Sequence, residues 1–242
     1  MFHTLVIVPY LMIKSFLILI SFSIFVHSSQ QILLVVSDNS NTHKAKLQCF
    51  EDGEKIISTI DVNIGRNGLG FGLGEIQLKQ SNTQVEKREG DGKAPIGIFK
   101  LSSVFGYPKS NNSHMPYMHT SKNLICVDDS NSKYYNKIIY MPKPKPKSFE
   151  FMKRDDMQYE LGIVVEHNKK KIKQKGSCIF LHVQKMKDKG TAGCTSMSLN
   201  DLQNIVEWLD KKKNPILIQI PKSSSKEILE LYPELKDSEL LK

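Results

Sequence analysis

The chain has 242 residues and a formal net charge of +9, from 34 basic and 25 acidic side chains, and 40% of its residues are hydrophobic. These values exclude a disordered or fibrous protein and favour a globular one, with enough chain for one sizeable domain and too little for two. No segment repeats at a fixed period, which argues against solenoids and propellers.

Much of the positive charge lies in two runs, MPKPKPK at 141–147 and KKKIKQK at 169–175. Neither run contains the aromatic residues on which nucleic-acid bases stack, so nucleic acid is not expected as a partner. Solvated loops between strands explain both runs. A weaker alternative is a loose attraction to anionic polymers of a cell envelope.

The first 28 residues differ from the rest of the chain. An almost wholly apolar run, 15–26, follows Lys14 and precedes the small residues Ser28 and Ser29. This pattern is typical of a secretory signal peptide over 1–28, and an uncleaved N-terminal anchor is the alternative. Both predict a secreted, periplasmic or cell-envelope protein, and only the anchor would make the membrane a partner.

After this segment, short apolar runs rich in β-branched residues predict strands in chain order. The runs are QILLVV at 31–36, AKLQCFE at 45–51, KIISTIDVNIG at 55–65, IGIFKL at 96–101, YYNKIIYM at 134–141, LGIVVEHN at 161–168, SCIFLHVQ at 177–184 and PILIQIP at 215–221. A helical turn or two is expected within 148–157. Many short strands with few helices predict a mainly β domain over 30–221.

One clear α-helix is predicted between the last two strands. Ser198 and Asp201 fit a capping box, and apolar residues then recur at helical spacing from Leu199 to Leu209. The tail at 222–242 is charged and Leu-rich, and it is expected to carry a peripheral helix.

Four cysteines, Cys49, Cys126, Cys178 and Cys194, remain after the first segment. None forms a CxxC pair, and the histidines lack metal-ligand spacing, so no metal site is expected. An oxidising compartment allows at most one disulfide if Cys194 stays free, and the spacing does not say which pair forms it. For Cys178 we expect a small buried hydrophobic side chain.

One histidine, His182, and one cysteine, Cys194, suggest nucleophilic catalysis. Side chains alternate along a strand, so Cys178, Phe180 and His182 share one face, whereas Ile179, Leu181 and Val183 share the other. A histidine among apolar neighbours is by itself more often a structural residue. Cys194 lies twelve positions later, in a glycine-containing turn before the capped helix, where backbone N–H groups can form an oxyanion hole.

The residues around these two positions resemble a known family. FLHV followed by TAGCTSMS, the upstream block KREGDGKAPIGIFKL, and the segments GRNGLGFG, VDDSNSKYYN and GSCIFLHV are similar to motifs of the L,D-transpeptidase catalytic domain (YkuD-like) family, in its TAGCT-type branch. These motifs occur in order between Gly65 and Pro221. The resemblance implies a YkuD-like β-sandwich with mixed sheets and one α-helix after Cys194, and a catalytic domain over 30–221.

The resemblance also implies a mechanism. Cys194 would be the nucleophile and His182 its general base, with Thr191, Gly193 and Thr195 around the oxyanion and the substrate. The target would be the bond between diaminopimelate and D-alanine in a peptidoglycan stem peptide. An amine of a second stem would resolve the thioester into a cross-link, or water would hydrolyse it. Neither a metal nor an organic cofactor is implied.

Two positions depart from the common family pattern. Ala192 stands where many members have a second histidine, and Ser196 stands where arginine is common. The missing arginine removes an anchor for a substrate carboxylate, which affects the identity of the substrate more than the cysteine chemistry. A third residue that orients His182 is not evident, and a backbone carbonyl would be able to do so.

Four further residues are candidates for the substrate groove. Asp91 and Gly92 belong to the GDG turn, which a structural role explains better. Asp129 and Asn136 lie in the VDDSNSKYYN segment with Asp128 and Tyr135, and a hydrogen-bonded loop explains these residues equally well.

Three functions follow from these patterns. The first is an exported L,D-transpeptidase acting on peptidoglycan stem peptides. The second is an L,D-carboxypeptidase that hydrolyses the same bond. The third is a non-catalytic domain that uses its basic runs to bind anionic cell-envelope polymers.

Overall fold

The computed structural model describes residues 29–80 and 85–242. The predicted signal peptide or anchor at 1–28 lies outside these residues and stays a prediction. Within the described part of the chain, none of the helices has the length and apolar character needed to cross a bilayer.

The described chain consists mainly of short strands, so the predicted mainly β class is confirmed. The strands are β1 (Gln31–Ser37), β2 (Lys44–Glu51), β3 (Glu54–Asn63), β4 (Leu69–Phe71), β5 (Ala94–Gly106), β6 (Tyr117–His119), β7 (Leu124–Cys126), β8 (Ile138–Tyr140), β9 (Glu150–Phe151), β10 (Leu161–Val165), β11 (Phe180–Val183), β12 (Thr195–Met197) and β13 (Ile216–Pro221). The helices are α1 (Leu199–Trp208) and α2 (Ser225–Leu231), with 3-10 turns at Lys211–Lys213, Lys222–Ser224 and Pro233–Leu235.

Most strands belong to one mixed sheet that closes on itself. Its order is β10-β11-β12-β3-β2-β1-β13-β5-β4, and β10 also pairs with β5. Pairing is parallel for β1 with β13 and for β11 with β12, and antiparallel for most other neighbours. This closure pairs backbone groups that an open edge would leave to solvent. A separate three-stranded sheet has the order β8-β7-β9.

The predicted helix α1 begins where its cap indicates. Ser198 Oγ accepts a hydrogen bond from the Asp201 N–H at 3.1 Å and donates to Asp201 Oδ2 at 2.5 Å. The acid therefore bonds the capping hydroxyl rather than reaching back to the backbone. Leu202, Ile205 and Val206 form the buried face of the helix. α1 follows β12 directly, so the length of this strand separates its first turn from Cys194.

The structure differs from the expectation at 148–157. Glu150 and Phe151 form β9, which pairs with β7, and turns follow it instead of helical turns. The cross-strand pairing overrides the local preference of the segment. The tail 222–242 contains α2, and Leu235, Leu240 and Leu241 are buried against the main sheet.

Two hydrophobic clusters fill the interior. The main core is largely aliphatic and packs between the sheet and α1. The second, here called the Cys194 cluster, consists of Phe105, Leu124, Cys126, Met152, Tyr159, Cys178, Phe180 and Cys194. It lies between the main sheet and the three-stranded sheet, so Cys194 is in the smaller cluster.

Candidate active site

Strand β11 separates the two clusters, as its sequence predicts. Ile179, Leu181 and Val183 belong to the main core, whereas Cys178 and Phe180 belong to the Cys194 cluster. The predicted alternation is confirmed within β11, whereas Cys178 lies before the strand with a φ of +54°. His182 lies two positions after Phe180, on the same face of β11, and is only 4% exposed.

A backbone carbonyl orients His182. Its Nδ1 lies 2.8 Å from the carbonyl oxygen of Val183. Because a carbonyl oxygen only accepts hydrogen bonds, Nδ1 carries the hydrogen and Nε2 keeps its lone pair. Burial lowers the pKa of His182 to about 4, and the hydrogen bond to Val183 opposes this shift. The imidazole is therefore neutral near pH 7, the form that accepts a proton.

Cys194 lies at the tip of the turn that leads into β12. Its Sγ accepts from the Phe180 N–H at 3.4 Å and lies 3.5 Å from the carbonyl oxygen of Cys178, to which the thiol donates. Burial raises the pKa of Cys194 to about 12, and the nearby Glu150 adds to the shift. The resting side chain is therefore a thiol rather than a thiolate.

The pairing of β11 with β12 brings the two residues together. His182 pairs with Ser196 in parallel register, so Cys194, two residues earlier, lies beside Phe180 on the same face. Strand rise and spacing then place the Cα atoms of Cys194 and His182 about 8 Å apart on this face, and the resting thiol donates to the Cys178 carbonyl rather than to His182. The Tyr159 ring packs in the Cys194 cluster with its centroid 5.3 Å from the centroid of His182.

The turn before Cys194 is closed by Thr191. Its hydroxyl donates to the Cys194 carbonyl at 2.6 Å and accepts from the Gly193 N–H at 3.0 Å. The Gly193 amide is thus already engaged, and the Thr195 hydroxyl donates to Gln219 at 2.6 Å on the main-core side. Thr191 and Thr195 therefore shape the turn.

Gly193 could not be replaced without distortion. Its φ is +155°, and a Cβ atom there would lie 3.0 Å from the carbonyl oxygen of Lys93. The GDG turn, which contains Lys93, therefore packs directly behind the turn that carries Cys194.

The GDG turn is held by Asp91. Its carboxylate accepts from Lys87 Nζ at 2.5 Å, from the Arg88 N–H at 2.6 Å and from the Lys93 N–H at 2.9 Å. Gly92 has a φ of +66°, which favours glycine. Both oxygens of Asp91 are used within the turn, which favours the structural interpretation of these two candidates.

The other two groove candidates also make local contacts. Asp129 accepts from the Asn131 N–H at 3.0 Å and from the Lys147 N–H at 3.1 Å. The amide of Asn136 donates to the carbonyl of His167 and accepts from the Cys178 N–H at 3.0 Å. A hydrogen-bonded loop explains both residues, and Asn136 supports the segment that precedes β11.

Cys178 is buried in the Cys194 cluster as expected, and it also forms a disulfide with Cys126, the pairing that the spacing left open. The bond links β7 to the residue whose carbonyl accepts from the Cys194 thiol. Cys49 and Cys194 are free and buried. The sequence could not reveal the pairing because the two cysteines are 52 positions apart and only the fold aligns them.

Several residues near Cys194 were not predicted from the sequence. The Tyr159 hydroxyl donates to Glu150 Oε2 at 2.5 Å, and burial raises the pKa of Glu150. The guanidinium of Arg154 lies 5.0 Å from the centroid of the Tyr159 ring. Lys87 is also buried near the turn. Most of these residues lie in irregular segments without a periodic pattern, so no indication of their role could be read from the sequence.

A groove of about 570 Å³ adjoins this region, lined among others by Tyr107, Met157, Glu160 and Leu199. Tyr107 also packs against the Cys194 cluster, and its hydroxyl donates to the Arg154 carbonyl at 2.6 Å. Neither His182 nor Cys194 lines this groove, which also contacts α1 through Leu199 and Val206. Within the described residues, no group of three or more His, Cys, Asp or Glu side chains is placed to hold a metal ion.

Comparison with known proteins gives one match. The family model of the L,D-transpeptidase catalytic domain, YkuD, matches residues 22–218. No curated protein and no solved structure matches the chain significantly. The matched range includes β1 to β12, α1, His182 and Cys194.

Proposed function

Because the chain belongs to the L,D-transpeptidase catalytic domain (YkuD) family, whose function is directed at peptidoglycan, we propose that it is an exported cysteine acyltransferase of peptidoglycan stem peptides. Cys194 is the nucleophile and His182 is the general base. The bond attacked joins diaminopimelate to D-alanine.

One observation carries this proposal: His182 and Cys194 lie on the same face of the paired strands β11 and β12, at the boundary of the Cys194 cluster. The Val183 carbonyl fixes the imidazole tautomer that leaves Nε2 unprotonated. A buried neutral base beside a buried thiol is the arrangement that general-base activation of a cysteine requires.

The first half-reaction begins from the neutral pair. As Sγ bonds to the substrate carbonyl carbon, the thiol proton passes to Nε2 of His182 and the carbonyl oxygen becomes an oxyanion. Collapse of this intermediate breaks the carbon–nitrogen bond, and the imidazolium returns its proton to the departing amine of D-alanine. The products are free D-alanine and a thioester on Cys194.

The second half-reaction releases the enzyme. The amine of another stem peptide attacks the thioester carbonyl, loses a proton to His182 and forms an amide, while Sγ leaves and is reprotonated. Transfer rather than hydrolysis is proposed because the family model that matches the chain is that of the L,D-transpeptidases.

The disulfide supports the export part of the proposal. Stable disulfides form mainly in oxidising compartments outside the cytoplasm. The Cys126–Cys178 bond joins two parts of the Cys194 cluster, and the apolar run 15–26 supplies an export signal. N-terminal sequencing of the secreted protein should give a first residue near Ser29. A chain that retains 1–28 in the membrane fraction would indicate the anchor instead.

The catalytic proposal is tested by incubating the purified protein with tetrapeptide stems. We expect mass spectrometry to show released D-alanine and, with an acceptor stem, cross-linked dimers. Cys194→Ala should remove both products. Cys49→Ala is the matched control, because Cys49 is the other free, buried cysteine and lies in the main core.

Each alternative gives a different result. Release of D-alanine without dimers identifies an L,D-carboxypeptidase. If the wild-type protein releases no D-alanine from any stem and its Cys194 reacts with alkylating agents no faster than Cys49, the proposal is wrong and the non-catalytic interpretation is favoured.

A further inference from the structure

A buried lysine lies behind the turn that carries Cys194. The side chain of Lys87 is 3% exposed, and lysines are rarely buried to this extent without a partner. Its Nζ donates to Asp91 Oδ1 at 2.5 Å and to the Arg88 carbonyl at 2.6 Å. The cation is therefore fixed in position by the GDG turn.

The methylene groups of Lys87 pack between two turns that surround the nucleophile. Its Cε lies 3.7 Å from the position of a Cβ atom on Gly193 and 3.2 Å from that of a Cβ atom on Gly176. Gly193 precedes Cys194, and Gly176 lies two residues before Cys178, whose carbonyl accepts from the Cys194 thiol. Lys87 thus contacts both segments that position Sγ.

We propose, on the basis of the function above, that Lys87 is a positioning residue for Cys194: the Lys87–Asp91 ion pair supports the turn and holds a fixed positive charge behind the nucleophile. This charge favours the thiolate and the oxyanion that forms during attack. A fixed charge in a site shielded from water acts more strongly than the same charge at the surface.

Several groups around Cys194 act on the pKa of its thiol, and they act in opposite directions. Burial and the nearby Glu150 raise the pKa of the thiol. The Phe180 N–H, Lys87 and Arg154 act in the opposite direction. Each of the two cations is paired with a carboxylate, Lys87 with Asp91 and Arg154 with Asp156. They differ in position: Arg154 lies over the Tyr159 ring, whereas Lys87 lies on the side of the Gly193 turn.

A second lysine provides a matched control. Lys175 pairs with Glu86 at 2.5 Å, the same length as the Lys87–Asp91 pair, but its side chain is 33% exposed. Lys175 also immediately precedes Gly176, so both lysines adjoin the same turn. Lys87→Met and Lys175→Met remove equivalent ion pairs, one buried and one at the surface.

The test is the rate at which iodoacetamide alkylates Cys194 between pH 7 and pH 9, in protein carrying Cys49→Ala. We expect Lys87→Met to lower the alkylation rate about tenfold at each pH. The curve of rate against pH then shifts to higher pH by about one unit. Lys175→Met should superimpose on the wild type. A purely structural role for Lys87 predicts the opposite result, because loosening the turn would expose Sγ and increase the rate.

Folding of each variant is checked by circular dichroism. If Lys87→Met does not fold because the partly buried Asp91 carboxylate loses its lysine partner, Lys87→Met with Asp91→Asn removes both charges. The double variant should still react more slowly than the wild type. A folded single or double variant that alkylates at the wild-type rate or faster overturns the proposal.

The assay separates this inference from the function on which it rests. Alkylation requires no peptidoglycan substrate. If the wild-type protein releases no D-alanine while Lys87→Met still slows alkylation, the proposed function fails and the role of Lys87 in activating Cys194 stands. If D-alanine is released and alkylation is unaffected by Lys87→Met, the reverse holds.

Discussion

The two faces of β11 have different compositions. One face contributes Leu181 and Val183 to a main core made almost entirely of hydrocarbon. The other presents Phe180 and His182 toward a cluster that also holds Tyr159, a disulfide and the Cys194 thiol. One strand thus separates the main core from the region that contains the two proposed catalytic residues. Neighbouring residues in the sequence therefore have unrelated roles.

The two free cysteines show the same contrast. Cys49 and Cys194 are both buried, and burial raises the pKa of both thiols. Around Cys194, however, a backbone N–H, Lys87 and Arg154 oppose this shift, whereas desolvation alone accounts for Cys49. Burial by itself does not make a cysteine reactive or inert; the charges and donors that surround it decide.

The largest effect should come from the chemical face. Cys194→Ala removes the proposed nucleophile, so D-alanine release should fall by at least about 10³-fold. The change deletes one sulfur atom, and the free energy of unfolding should fall by only about 1 kcal/mol. Product formation is followed by mass spectrometry and stability by urea unfolding. Residual activity within tenfold of the wild type would contradict the division between the two faces.

Leu181→Ala tests the opposite face of the same strand. Leu181 is fully buried in the main core, so the truncation should cost about 2–5 kcal/mol of unfolding free energy. Its position next to His182 in the sequence makes it a close control for Cys194→Ala. The urea midpoint reports the loss. If Leu181→Ala destabilises the protein no more than Cys194→Ala does, the main-core face of β11 does not contribute more to stability than the other face.

Removal of the disulfide should have an intermediate effect on stability. Cys126→Ala with Cys178→Ala opens a link across 52 positions, which should lower the unfolding free energy by about 2–4 kcal/mol. Because Cys178 carries the carbonyl that accepts from Cys194, the rate of Cys194 alkylation should also change. Cys49→Ala, in the main core, should leave that rate unaltered.

Local patterns in the sequence were sufficient to predict much of this division. Period-two alternation assigned Ile179 and Leu181 to one face and His182 to the other, and the hydroxyl of Ser198 marked the start of α1. Such patterns depend only on residues a few positions apart, which is why they are readable without the fold. The same reasoning placed Cys194 in a turn before the helix.

The features that could not be predicted from the sequence all depend on contacts between distant segments. The disulfide partner of Cys178, the packing of Tyr159 on His182 and the position of Lys87 behind Gly193 require the register of strands far apart in the chain. The expected helical turn at 148–157 is wrong for the same reason, because pairing with β7 decides the conformation of β9. Local preference yields to non-local pairing in these segments.

The smallest predicted effect compares two buried histidines, one in each region. Burial lowers the pKa of His182 to about 4 and that of His167, which packs on Phe99 of the main core, to about 3. The unfolded chain takes up these protons near pH 6.5, so each histidine contributes stability that is full above pH 6.5 and is lost as the pH falls toward the folded pKa. For each histidine, the free energy of unfolding should fall by about 1 kcal/mol between pH 7 and pH 5.5.

Single replacements separate the two contributions. His182→Gln and His167→Gln should each flatten the fall in urea midpoint between pH 7 and pH 5.5 by a similar amount, because each removes one buried titrating group. Only His182→Gln should abolish D-alanine release, since His167 packs on Phe99 and near the Lys87–Asp91 pair and is not a proposed base. Acid sensitivity of folding is therefore shared by both histidines, whereas loss of activity is expected for His182 alone. If His167→Gln abolished activity as fully as His182→Gln, the proposed assignment of His182 as the base would be contradicted.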